Sequence, residues 1–86
     1  MSAISRFLDG RGRLARIPSR PSRKLELASH IANEFSYGQF YSEYEVNDVL
    51  TAFHDDYISL RRMMIELGQL ARASNGSAYW RVLGGE

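Results

Sequence analysis

The chain has 86 residues, 44% of them hydrophobic and 24% charged, with no cysteine and a formal net charge of +1. This length holds one compact domain, the balance is that of a globular protein, and the absence of cysteine excludes disulfides and thiolate metal sites. No apolar run approaches the roughly 20 residues that cross a bilayer, and the first residues lack the apolar stretch and cleavage signal of a secretory peptide, so a cytoplasmic protein with no membrane partner is expected.

The small net charge conceals an asymmetry. Residues 1–24 hold seven basic side chains against Asp9, a balance of +6, whereas residues 25–86 hold four against nine acids, a balance of −5. A basic arm on an acidic body points to an anionic partner, or to an arm that offsets the charge of its own body. Residues 1–22 are read as that arm and residues 23–86 as the folded domain.

Along the arm, Ile4 to Leu8 can form a short helical turn, and Leu14 to Ile17 a brief strand after Gly10 and Gly12. Pro18 and Pro21 stop any helix from running through, and Ser22 is a candidate N-cap. Helix one is predicted from about Arg23 to Phe35, because Leu27, Ala28, Ile31, Ala32 and Phe35 recur at spacings of three and four and build one apolar stripe. Gly38 suits the left-handed backbone that ends helices, and Phe40 and Tyr41 can extend.

Ser42 and Glu45 have the spacing of a capping box, which sets the start of helix two. Val46, Val49, Leu50 and Phe53 form its buried stripe. Asp55 and Asp56 mark the joint, either one able to cap helix three. In helix three, Tyr57, Leu60, Met63, Met64 and Leu67 share the inner side. Ile58, Ser59, Arg62, Ile65 and Glu66 share the outer side, with Arg61 at the border, and Gly68 ends the helix. The tail reads as a hairpin around Asn75-Gly76, a pair suited to a two-residue turn with positive φ at both positions. That turn pairs Ala71 with Trp80 and Leu70 with Arg81, which sets Leu70 and Trp80, both candidate core residues, on opposite faces. A bulge or a longer loop would resolve the conflict.

Three helices and a hairpin, mainly α with a small β element, give the order of a winged helix-turn-helix with a C-terminal wing. The other reading is a plain three-helix bundle with a terminal ribbon. "FYSEYEVNDVLTAFHDDYISLRRMMIELGQLAR" and "GSAYWRV", with "GRLARIPSRPSRK" upstream, resemble the bacterial domain-of-unknown-function family numbered 2087 over roughly Phe7 to Val82. Tyr41-Ser42-Glu43, Glu45-Val46-Asn47, Asp56-Tyr57, Leu60-Arg61-Arg62 and Tyr79-Trp80-Arg81 carry the resemblance, and "MMIELGQL" departs from it where a Leu-Val pair is expected. The resemblance implies a winged-helix domain of a transcriptional regulator. Some members form the C-terminal part of a regulator that already has a DNA-binding domain.

A winged helix lays helix three in the major groove. Ser59 and Arg62 are the candidate readers there, with Ile58 and Ile65 as methyl contacts, and Arg is the commonest reader of guanine. The structural alternative pairs Arg62 with Glu66 one turn on and ties Arg61 to an acid such as Glu45 or Glu34. Arg72 and Arg81 flank the hairpin and are candidate phosphate contacts, as are Arg11, Arg13, Arg16, Arg20, Arg23 and Lys24 of the arm. Asp55 and Asp56 oppose this reading, because a carboxylate beside the DNA backbone costs affinity. Duplex DNA is the partner expected first. A homodimer or a second regulator protein is the alternative, since Tyr37, Phe40, Tyr41, Tyr44 and Tyr57 are many aromatics for so small a core. Without a glycine-rich phosphate loop, a nucleophile motif or ligand spacing between His30 and His54, no enzyme activity, metal or cofactor is expected.

Overall fold

In the computed structural model, which describes residues 8–82, the chain runs through α1 (Pro21–Ala32), α2 (Glu43–Thr51), α3 (Tyr57–Glu66), β1 (Leu70–Arg72) and β2 (Tyr79–Arg81). The two strands pair antiparallel. Tyr41, between α1 and α2, bridges Tyr79 through two backbone hydrogen bonds of 2.8 Å and adds a third, one-residue strand to the sheet. This is a winged helix-turn-helix arrangement, with α2 packed on α3 and the hairpin following directly.

α1 begins two residues before the expected Arg23, and its N-cap is Arg20 rather than Ser22. Pro21 explains the shift. At the first helical position its missing N–H costs nothing and its fixed φ suits the helix. The α-helical bonding also stops at Ala32, three residues short of Phe35. Glu34 and Phe35 then continue through tighter bonds to Ile31 and Ala32, so Phe35 still reaches the core.

The capping box forms as the spacing predicts. The Glu45 N–H donates to Ser42 Oγ at 3.1 Å, and the Ser42 N–H donates to Glu45 Oε1 at 2.8 Å. Asp56 caps α3, accepting from the Ser59 N–H at 3.2 Å. Gly68, with φ +75°, closes α3 in a Schellman motif: its N–H reaches the Ile65 carbonyl and the Gln69 N–H reaches that of Met64.

The core unites the three helical stripes, through Leu27, Ala28, Ile31 and Ala32 of α1, Val46 and Leu50 of α2, and Leu60, Met63 and Met64 of α3. Phe35, Leu70 and Tyr79 close it. Leu14 of the arm belongs to it as well, at 6% exposure, and its N–H donates to the Phe53 carbonyl at 2.7 Å. In place of the brief strand expected at Leu14 to Ile17 there is one bridge between Leu8 and Leu14 across a turn organised by Asp9. The turn expected at Ile4 to Leu8 lies, apart from Leu8, outside the described residues.

The hairpin register is Leu70 with Arg81, Ala71 with Trp80 and Arg72 with Tyr79. Its loop has four residues, Ser74–Ser77, closed by the Ala73 N–H on the Ala78 carbonyl at 2.9 Å. Only Gly76 has positive φ. Asn75 stays on the ordinary side and accepts the Ser77 N–H at 3.0 Å. A loop longer by two residues keeps the same register, so the conflict between Leu70 and Trp80 resolves differently from either expectation. Trp80 lies on the outer face, edge-on to Phe40 at 5.7 Å, and Tyr79 takes the core position.

Candidate nucleic-acid interface

Helical spacing separates α3 into an inner row that closes the core and an outer row left to solvent. Ile58, Ser59, Arg62 and Glu66 are exposed and Ile65 is half-buried. Beside this row the hairpin forms a second wall. Ile58, Arg61, Arg62, Ile65 and Glu66 on α3, with Arg72 and Tyr79 on the strands and Glu43 on α2, enclose a cleft of about 240 Å³. Helix and wing therefore present Arg62 and Arg72 to one space.

The individual side chains are held differently. Arg62 makes no ion pair with Glu66 among the described residues, so the intrahelical pairing considered from sequence is absent. Arg61 is half-buried and donates to Asn47 Oδ1 on α2. Its tie to α2 is thus a neutral amide rather than the acid expected at Glu45 or Glu34. The Ser59 hydroxyl donates to Asp56 Oδ2 at 2.8 Å. With the Ser59 N–H on the same carboxyl, this bond holds Asp56 below its ordinary pKa. The Tyr79 hydroxyl donates to Glu43 Oε1 at 3.1 Å, and burial first, then this carboxylate, raise the phenol above its ordinary value. Arg72 lies under the hairpin turn, and a Cβ added at Gly76 would come within 3.3 Å of its guanidinium.

Arg81 stands apart from this cleft. It donates to the Phe35 carbonyl at 3.3 Å and to Asn33 Oδ1 at 3.2 Å, and its guanidinium stacks 4.1 Å from the Tyr37 ring centroid. These contacts fasten β2 to the end of α1.

The arm divides in the same way. Arg13 donates to the Thr51 carbonyl and to Asp55 Oδ1, each at 2.7 Å. One of the two carboxylates at the joint is thereby matched by a guanidinium, and the other is bound into the cap of α3. Both belong to the joint's own structure. Arg11 is exposed beside Asp9, whose carboxyl accepts the Arg13 and Arg11 N–H groups and is held below its ordinary pKa by them. Arg16, Arg20 and Arg23 line a separate cleft ahead of α1, and Lys24 is half-buried on its first turn. The six candidate basic contacts from Arg11 to Lys24 are not one continuous strip with Arg62 and Arg72.

Glu43, Asn47 and the Arg13–Asp55 pair were not visible as site features in the sequence. Glu43 had one usable signal, its place in the first turn of a helix whose start was clear. The other two depend on contacts 14 and 42 residues apart in sequence, for which local spacing carries no sign. No helix among the described residues is long and apolar enough to cross a membrane.

No curated protein and no solved structure matches the sequence significantly. The match that does appear covers residues 13–81, from the arginine that braces the joint to the one that anchors β2, and by it the chain belongs to the bacterial family described as "uncharacterized protein conserved in bacteria (DUF2087)".

Proposed function

We propose that this protein binds duplex DNA and regulates transcription in the bacterial cytoplasm, with α3 in the major groove and the hairpin against the neighbouring backbone. The observation that carries this reading is the shared cleft of Arg62 and Arg72, with Arg62 exposed and unpaired with Glu66. Ile58 and Ile65 border Arg62 and suit thymine methyl groups. Ser59 lies a turn away and contributes its hydroxyl oxygen as an acceptor, its proton being engaged by Asp56. Exposed arm residues such as Arg11 add attraction that is independent of sequence.

Selection from random duplexes tests the proposal. Enrichment of a short motif, with affinity falling steeply as salt rises, is the expected result. A palindromic motif would add a symmetric dimer to it.

A second reading rests on a different observation. Phe40 and Tyr44 are 71% and 79% exposed, and Phe40 meets Trp80 on the outer face of the hairpin. Large aromatics left in water favour a protein partner, here a second copy or another regulator, and Glu43 and Glu66 beside Arg62 favour it too. Self-association with no duplex binding at low salt is the outcome that selects this module over the DNA binder.

A further inference from the structure

The cleft between α3 and the hairpin holds a charge that opposes its proposed partner. Glu43 lines it, as does Glu66, together with Arg61, Arg62 and Arg72. The Glu43 carboxylate is tied in place: its Oε1 accepts the hydroxyl of Tyr79, a residue only 2% exposed, at 3.1 Å. The same oxygen and a terminal nitrogen of Arg72 lie 3.9 and 3.3 Å from where a Cβ on Gly76 would stand. Carboxylate and guanidinium therefore share the space beneath the hairpin turn, although no ion pair joins them among the described residues.

An acid in the first turn of α2 favours the helix dipole. Glu45 already serves that end through the capping box, and the dipole gives no reason for a bond from Glu43 to the wing. That bond holds a surface carboxylate, which would otherwise sample many rotamers, at the mouth of an arginine-lined cleft. We infer that Glu43 is a counter-ion built into the DNA cleft, standing where a backbone phosphate would meet Arg62 and Arg72 and limiting how tightly the duplex binds. The inference rests on the DNA reading of this cleft and deepens it by naming the residue that sets its affinity. In the free protein the carboxylate offsets the guanidinium charges around it. A phosphate entering the cleft meets the same guanidiniums and, beside them, a fixed like charge that cancels part of their attraction. Salt screens this repulsion along with the attraction it opposes.

Fluorescence anisotropy of a labelled random-sequence duplex at three salt concentrations, with wild type, Glu43→Gln and Asp48→Asn, tests the inference. Glutamine keeps the side chain's size and an oxygen for the Tyr79 hydroxyl, and removes the charge. Asp48, exposed on the same helix and outside the cleft, controls for net charge. Glu43→Gln is expected to bind about three- to tenfold more tightly at low salt and to lose affinity more steeply as salt rises, while Asp48→Asn stays within about twofold of wild type. Where wild type binds, a Glu43→Gln that binds no more tightly, or an equal gain in Asp48→Asn, overturns the inference and leaves the DNA reading standing. A wild type that binds no duplex, beside a Glu43→Gln that does, supports the inference in its strongest form. Binding by neither overturns the inference and the DNA reading together.

Discussion

Arg13 holds Asp55 at 2.7 Å across 42 residues of sequence and, with its other terminal nitrogen, the carbonyl of Thr51 at the end of α2. One side chain from the arm thus binds both sides of the joint that sets the angle between α2 and α3. The two contacts are unequal. The Asp55 side chain is 93% exposed, so the ion pair itself is screened and worth less than about 1 kcal/mol. A charged donor on a backbone carbonyl contributes about 1–2 kcal/mol. Arg13→Ala is therefore expected to lower Tm clearly, and Asp55→Ala to lower it little. Thermal melts at low and high salt check this, and equal losses in the two variants would show that the Thr51 contact contributes nothing.

Leu14 shows that the arm is structural in part. A solvated tail would tolerate any substitution there, but Leu14 is 6% exposed and packs in the same cluster as Leu27 and Leu50. Leu14→Ala is expected to cost about 2–4 kcal/mol through lost burial and the cavity left behind. At this chain length that is a fall in Tm of more than about 10 °C. Thermal denaturation read by Trp80 fluorescence measures it, and a Tm within a degree or two of wild type would return the residue to a solvated arm.

What the sequence made legible was whatever depends on neighbours three or four residues apart. The capping box at Ser42, the inner row of α3 and its end at Gly68 are local patterns, and all three form as read. The order of three helices and a hairpin was sufficient for the fold. The failures share one cause. Whether Trp80 or Tyr79 faces the core depends on which face of the hairpin meets the helices. Tyr41 decides this by pairing with Tyr79 and carrying Phe40 to the outer side. Size and hydrophobicity alone favoured the tryptophan. The site was legible as residue types on a helix face, since Arg62 and Ser59 are exposed as placed. The different employment of Arg72, Arg81 and Arg13 arises from tertiary contacts with no periodic trace.

Asp9 and Asp56 predict an acid limb. Both carboxyls lie below their ordinary value of 3.8, Asp56 mainly through the Ser59 hydroxyl and Asp9 mainly through the Arg13 N–H. A depressed folded-state value means that the contribution is complete above the unfolded value and is lost as pH falls through the folded one. Urea midpoints should therefore decline below pH 3.8 more steeply in the wild type than in the Asp9→Asn/Asp56→Asn double variant, whose amides no longer titrate. Each amide keeps one oxygen for the backbone N–H groups, while the second Asp56 position becomes an NH2 that donates to the Ser59 hydroxyl instead of accepting from it. Superimposable acid limbs would mean that other carboxylates account for the decline.

Arg62 and Arg81 are held differently and should separate cleanly in experiment. Arg62 is exposed on α3, where truncation touches no buried group, so Arg62→Ala should leave stability within about 0.5 kcal/mol of wild type. If α3 reads DNA, the same change weakens duplex binding and lowers the slope of log affinity against log salt by about 1, the signature of a lost ionic contact. Arg81→Ala removes two hydrogen bonds to the end of α1 and the stacking on Tyr37. It is expected to cost about 1–3 kcal/mol of stability and, below its lowered Tm, to bind duplex with an unchanged salt slope. Thermal melts paired with fluorescence anisotropy at three salt concentrations read both quantities for both variants. A stable Arg81→Ala with weakened binding, or an Arg62→Ala that binds as tightly as wild type at every salt, would move the interface away from α3 and the wing.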